Sequence, residues 1–579
     1  MDYIWNYLKR YPGELMAVII STMVTCISIL GMPSMLAQMI DKAIVVNQMA
    51  NAWPYVWGMA IFTVLGFISR VIRMYMTSRV VNNMTMEIRN DIYCKMLTLS
   101  HHEFQEFGVP SLTNRITTDA FVILQFTEML LKQGMMGPVM MIFAVFMILS
   151  IAPHLGIRVL PAVFVIVIAV MITAKVTHSM SQRQQGFLDK LNRILRESIT
   201  GMRVIRAFNR EDFQNSRFLD VNQDYRQITG NLFKVLAASP SIFSFVLNLS
   251  IAIIIYLGAQ MIEVGDLQVG TLAAFIEYIF HGLFSLLIFA NIFMMYPRAS
   301  VSAGRLREVK ETPITVKNPD QPRRNESLQG TLEFRNVDFI YPDADQPVLR
   351  NISFTSKPGQ TTAFIGSTGS GKSTIIKLIP RFYDVSRGQI LVDGIDIRDY
   401  DLDDLRSMIG FTPQKALLFK GKISDNLRYG KQDADLDELI HASLISQAHE
   451  FVSEMDQGYD SDLTEKASNL SGGQKQRLSI ARSIVADRQI YIFDDSFSAL
   501  DYQTDAKLRA SLKEETQNAT TLIVAQRVGT IMHADQIIVL DQGRIEAIGT
   551  HRDLLKTSPI YYQIASSQLS EEELLHGQA

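Results

Sequence analysis

Six stretches dominated by apolar residues lie near 15–40, 53–75, 134–152, 157–175, 240–262 and 271–295, and none lies beyond residue 300. Each is long enough to cross about 30 Å of hydrocarbon as a helix. The chain of 579 residues, 48% of them hydrophobic, therefore reads as a membrane half followed by a soluble half of similar size.

An even number of spans puts both ends on one side of the membrane. The long connections 70–133 and 174–235 carry 7 and 11 Lys/Arg, whereas the short connections 41–51, 153–158 and 263–270 carry only Lys42 and Arg158. The positive-inside bias makes the long connections, and with them both termini, cytoplasmic. From Ser78 to Met96 and from Gln182 to Phe213 these connections keep a helical apolar period with few Gly or Pro. The membrane helices are thus expected to run on for 25–30 residues, about 40 Å, to tips near 107–111 and 208–212. The opening MDYIWNYLKRYPGEL has no small-residue cleavage site and reads as a retained helix lying in the interface.

Several classes are excluded at this level. A formal net charge of -3 argues against nucleic acid as a partner. Two cysteines, Cys26 and Cys94, support neither a disulfide framework nor a Cys-based zinc site. A linker rich in Pro, Asn and charge, 311–330, separates the halves, and the acidic end 566–579 reads as a solvated tail.

Beyond the linker, the strand-like TLEFRNVDFIYP is followed by AFIGSTGSGKSTIIKLI, in which an apolar strand runs into Gly366, Ser367, Thr368, Gly369, Ser370, Gly371, Lys372, Ser373 and Thr374 and then into a helical pattern. This is a phosphate-cradling P-loop. Glycines let backbone amides face the phosphates, the helix N-terminus adds its dipole, Lys372 brings a cation, and Ser373 offers a hydroxyl to Mg²⁺. A second buried strand, QIYIFDD, ends at Asp494, placed to serve Mg²⁺ as well. ATP and Mg²⁺ are the implied cofactors. Between the two lies LSGGQKQRLSIARSI, a polar turn opening a helix.

With these motifs in this order, the chain resembles the ATP-binding-cassette exporters over nearly its full length, and in particular halves of the multidrug and lipid-exporter type. The resemblance implies an α-helical membrane domain (1–310, six transmembrane helices with long cytoplasmic extensions), a linker (311–330) and an α/β P-loop nucleotide-binding domain with a helical signature subdomain (331–565). It implies that Tyr341 stacks on adenine, that Gln414 senses Mg²⁺ and the attacking water, and that Glu465 touches an opposing intracellular loop. It further implies that Ser471, Gly472, Gly473 and Gln474 grip ATP held by a second nucleotide-binding domain, and that Asp501, in SALD, belongs to the loop linking the two sites.

Two positions depart from that pattern. The family's catalytic glutamate is Asp495 here, and its switch histidine is Gln526. Loss of one methylene withdraws a carboxylate by roughly 1.5 Å, and a misplacement of about 1 Å can cost on the order of a hundredfold in rate. Glutamine donates a hydrogen bond but does not exchange a proton near neutral pH. Nucleotide binding should survive where turnover slows. Because the signature is intact, the expected partner is a homologous half-transporter that keeps the glutamate and histidine. The resemblance is closest to bacterial heterodimers in the cytoplasmic membrane. A homodimer with two slow sites and an ATP-gated channel-like protein are the alternatives.

The substrate is less legible. Glu277 and His281 stand at i and i+4 in the last span, either as a cation-favouring patch in the transport pathway or as a mutually bonded structural pair. The 28 methionines suit either an adaptable binding wall or lipid-facing filling. A small hydrophobic or amphipathic substrate, and membrane lipids, are the expected non-protein partners.

Overall fold

The computed structural model describes residues 1–151, 153–325, 328–570 and 574. The chain divides into two compact units, Met1–Thr98 with Phe107–Thr312, and Leu99–Glu106 with Pro313–Ala579. Of the tail 566–579, positions 571–573 and 575–579 lie outside the described residues.

The first unit is helical. Its long helices are Pro12–Met39, Trp53–Thr98, Pro153–Thr200, Glu211–Glu263 and Val269–Glu311, with Met136–Ile151 between them. The 46, 48 and 53 residues of the second, third and fourth give lengths of roughly 70–80 Å, far more than hydrocarbon requires. Their burial is inverted relative to a water-soluble bundle. On Trp53–Thr98, Trp57, Ile61, Phe67, Met74 and Tyr75 are exposed while Ser69, Arg73 and Thr77 are buried, as expected when the outside solvent is lipid.

Among the described residues, four helical stretches are long and apolar enough to cross a membrane: Pro12–Ile44, Met49–Thr98, Val109–Ile151 and Glu211–Glu263. The remaining predicted segments, 157–175 and 271–295, lie in helices Pro153–Thr200 and Val269–Glu311, and the described part of the latter contributes the shorter apolar stretch Val269–Ser285. Glycines set the approach of the first two helices. A Cβ on Gly31 would stand 2.7 Å from the Phe62 ring, and one on Gly58 2.9 Å from the Met35 sulfur, the small-residue contact that replaces hydrophobic drive in lipid.

The N-terminal helix Asp2–Leu8 buries Tyr3, Ile4, Tyr7 and Leu8. The Tyr7 hydroxyl donates to Asp91 Oδ2 at 2.7 Å, and Lys310 Nζ donates to both at 2.8 Å. Arg10 and Tyr11 donate to Glu87 at 2.8 and 2.6 Å. One face of this segment is therefore fastened to the ends of two long helices, while Trp5 stays exposed.

The second unit is α/β. Its main sheet runs in the order Arg544–Gly549, Gln536–Asp541, Thr361–Gly366, Thr520–Val524, Ile490–Asp494, Ile409–Thr412, parallel except for the edge hairpin. Ile490–Asp494 and Thr520–Val524 are buried throughout, which is why they read as continuous apolar runs. One face packs against the four-stranded sheet containing Leu332–Phe339 and the helix Lys372–Leu378. The other carries the helices Ile423–Arg428, Leu436–Ile445 and Gly472–Ile484.

The short helix His101–Phe107 sits mostly within the second unit rather than the first. His101 stacks on Phe382 at 5.8 Å and meets Tyr383 edge-on at 5.6 Å, and Glu103 accepts from the Thr315 amide at 3.2 Å. The predicted tip at 107–111 thus marks one end of a short helix, with Gly108 at φ 72 making the turn. The second tip is likewise a short helix, Met202–Ala207, ending just before 208–212.

Candidate nucleotide site

Parallel register gathers the site. Phe364, Val524 and Asp494 are cross-strand neighbours, as are Thr412 and Phe493. Gly366, Gln526, Asp495 and Gln414 therefore all emerge at the carboxyl edge of one sheet, the usual ligand crevice of an open α/β fold.

The P-loop departs from strand geometry at three glycines with φ of 158, 83 and 100, Gly366, Gly369 and Gly371. At Gly366 a Cβ would lie 2.1 Å from the Leu540 carbonyl oxygen, whereas at Gly369 it would meet nothing. The first glycine is required by packing and the second leaves the concave side of the loop open. Lys372 Nζ donates to the carbonyls of Gly366 and Ser367, both at 2.8 Å, so the cation is held over the loop. Burial lowers its pKa, against the raising influence of Asp495 and Asp494. The Ser370 hydroxyl is buried without a partner among the described residues, an unused donor inside an anion-shaped cradle. These features fit a polyphosphate.

Ser373 Oγ donates to Asp494 Oδ1 at 3.2 Å. The Asp494 carboxyl is pushed up chiefly by burial, with Ser373 and Lys377 opposing. This hydroxyl and carboxylate are the oxygen donors suited to Mg²⁺ beside phosphate. Mg²⁺ would supply charge neutralisation there.

The next residue holds an arrangement that sequence reasoning did not anticipate. Asp495, 8% exposed and at φ 47, receives Gln414 Nε2 at 3.1 Å and Gln526 Nε2 at 2.9 Å on the same oxygen, Oδ2. Gln526 and Asp495, the two departures from the family pattern, are bonded to each other, and Gln414 joins them.

Tyr341 lies beside the P-loop helix, its hydroxyl 3.0 Å from Thr374 Oγ1 and its ring edge-on to Phe339 and Tyr383. Ser471 is the N-cap of Gly472–Ile484, in a reciprocal capping box with Gln474. Ser471 and Gly472 are exposed. A Cβ at Gly472 would meet nothing in this chain, while one at Gly473 would come 3.3 Å from the Ala499 carbonyl. No hydrogen bond joins this turn to the P-loop among the described residues. Asp501 caps the helix Tyr502–Glu515 by accepting from the Thr504 amide at 2.9 Å. Glu465 is exposed, at the start of a short 3₁₀ turn in which Lys466 and Ala467 take positive φ.

In the helical unit, Glu277 and His281 approach to 3.8 Å. His281 lines a cavity of about 220 Å³ together with Met136 and Phe284; Glu277, half exposed, is not part of its lining.

Comparison with known proteins agrees with this geometry. Residues 15–287 match the family profile described as ABC transporter transmembrane region, and 349–498 match the one described as ABC transporter. The chain is 35% identical over 569 residues to an ABC transporter ATP-binding protein of Mycobacterium tuberculosis, covering 97% of each. It is 33% identical over 570 residues to one of Bacillus subtilis, covering 98% of each. It is 34% identical over 396 residues to an ATP-dependent lipid A-core flippase of Syntrophus aciditrophicus, covering 68% of this chain and 66% of the flippase. Among solved structures, an ATP-bound bacterial Atm1-family ABC exporter superposes with a TM-score of 0.78 at 25% identity, covering 96% of this chain and 98% of that one.

Proposed function

The chain belongs to the ABC transporter family, with its membrane and ATP-binding parts fused in one polypeptide, and from that premise we propose that it is the slow-site half of a heterodimeric exporter. It acts in a bacterial cytoplasmic membrane with six spans and both termini in the cytoplasm. Its work is ATP-driven export of a hydrophobic or amphipathic substrate, and its partner is a homologous half that keeps the catalytic glutamate and switch histidine.

The observation that carries this reading is the engagement of Asp495 by two side-chain amides on one oxygen. A general base needs a lone pair aimed at the water it deprotonates. Here Oδ2 already accepts from Gln414 and Gln526, on a side chain one methylene short. Lys372 and the P-loop retain everything needed to bind nucleotide, so binding and turnover come apart within one site. The signature supports the other half of the proposal. Its helix start is capped internally, yet its Gly472 faces no group of its own chain. A glycine free of internal crowding suits the close approach of a second molecule's bound ATP. Ser471 and Gly472 would complete the partner's site, and turnover there would reset the pair.

The test is co-expression with the neighbouring-gene half-transporter and assay of the purified pair. A stoichiometric complex should form, its ATPase should collapse when the partner's glutamate is replaced, and it should barely respond to Asp495→Asn. Rapid hydrolysis by the chain alone would replace this reading with a homodimer.

A further inference from the structure

Three charged side chains of the first unit are buried among the described residues: Arg73, Arg115 and Asp119. Two are matched. Arg115 pairs with Glu308 at 2.9 Å and donates to the Arg305 carbonyl at 2.7 Å. Asp119 accepts from the Ser302 hydroxyl at 2.7 Å and has Arg305 at 3.9 Å. Arg73 is different. It is 9% exposed, and among the described residues its hydrogen-bond acceptor is the Met136 sulfur at 3.3 Å and no carboxylate lies within ion-pair distance.

A thioether is a weak acceptor, and a buried cation without a counter-charge is costly. The location sharpens the anomaly. Arg73 stands 20 residues beyond Trp53, about 30 Å along the helix, near the far end of the span expected over 53–75. An arginine there ordinarily snorkels out to the headgroups. Here Phe67, Ile68, Arg70, Val71, Ile72, Met74 and Tyr75 are exposed while Arg73 is buried.

Across Met136 lies the 220 Å³ cavity, of whose wall Arg73 is not itself part. Met136, which receives the Arg73 guanidinium, is also part of its wall, with Ile29, Met140, Phe280, His281 and Phe284. The space is apolar and adaptable, and smaller than the roughly 300–1,000 Å³ that encloses a whole drug-sized ligand. It suits one chain or ring of a larger molecule.

The geometry points to a site for an anionic amphiphile, its carboxylate, sulfate or phosphate head on Arg73 and its apolar part along Met136, Met140 and Phe284. Guanidinium pairs with such heads in two-point fashion. This rests on the exporter reading and narrows its substrate from amphipathic to acidic.

The experiment is native mass spectrometry of the full chain released from micelles doped with phosphatidylglycerol, phosphatidylcholine or taurocholate. At least one acidic amphiphile should be retained about tenfold over phosphatidylcholine. Arg73→Gln should bring retention to parity and Arg73→Lys should keep part of the preference. Retention of phosphatidylglycerol alone identifies an acidic lipid; retention of taurocholate alone identifies a soluble organic acid. Parity in the unmodified chain, or an unchanged preference in folded Arg73→Gln, overturns the proposal. Should Arg73→Gln not fold, Met136→Trp carries the test with Arg73 in place: reduced acid retention supports the site and undiminished retention overturns it. Because retention needs no ATP, a chain that keeps its acid preference while the assembled pair moves nothing in energised vesicles sinks the exporter reading alone.

Discussion

Gln526 Nε2 lies 2.9 Å from Asp495 Oδ2. The residue in the switch position is thus bonded to the residue in the base position, and the two substitutions act as one unit with Gln414, 3.1 Å from the same oxygen. Repairing either alone leaves the other unrepaired. In the assembled pair with the partner's glutamate replaced, Asp495→Glu by itself should change the ATPase by less than about threefold, whereas Asp495→Glu with Gln526→His should raise it by on the order of tenfold to a hundredfold. Steady-state phosphate release from the three proteins checks this, and additive single effects would contradict it.

Two glycines should separate folding from function. Gly366→Ala forces a Cβ to within 2.1 Å of the Leu540 carbonyl oxygen in a backbone region unfavourable to side chains. It should destabilise the second unit by about 1–3 kcal/mol or more. Gly472→Ala meets nothing in this chain, so its melting temperature should be unchanged while ATPase of the assembled pair falls on the order of a hundredfold. Thermal unfolding and turnover measured on the same preparations decide it.

Lys372→Ala removes the ammonium that two loop carbonyls hold over the cradle. ATP affinity at this chain's own site should fall by about tenfold or more, reflecting a lost charge-assisted contact. Asp495→Asn should leave affinity within about threefold. Titration with a fluorescent ATP analogue distinguishes the two.

Acid should loosen the second unit through His551. Its ring is 5% exposed, Nδ1 lies 2.7 Å from the Tyr561 hydroxyl, and Nε2 has no partner among the described residues. Burial, reinforced by His533 and Arg552, lowers its pKa. The unfolded chain, with an ordinary value of about 6.5, therefore binds a proton before the folded one does. The stabilisation is present above that value and is lost as pH falls through it toward the lower folded value. Melting of the full chain should drop between about pH 7 and pH 5, and His551→Gln should flatten that slope.

Tyr7→Phe removes the hydroxyl shared by Asp91 and Lys310. With a charged partner on each side, the loss should be about 1.5–3 kcal/mol of local stability. Hydrogen exchange at residues 2–8 should accelerate accordingly, with little change in the P-loop.

The nucleotide site was legible because its chemistry is local. The run from Gly366 to Thr374 specifies strand, turn and helix by residue type, and Asp494 follows from a buried strand ending in an acid. The meeting of Gln414, Asp495 and Gln526 was not legible, since they come from three strand ends more than 30 positions apart or more, and only sheet order brings them to one oxygen. The membrane half shows the same division. Apolar runs announce helices, but Arg73 sits where a span gives way to a charged connection, and its count among the loop cations hid that it turns inward. The N-terminal segment is a helix as its sequence suggested, but its anchors Asp91 and Lys310 are too distant in sequence to be recognised there.

The clasp formed by Tyr7, Asp91 and Lys310 joins positions separated by 303 residues. During synthesis the opening helix must wait until more than half of the protein has left the ribosome before its last fastening exists. Until then Asp91 and Glu87 alone can hold it, so the clasp closes only when the beginning of the chain meets the end of the membrane half.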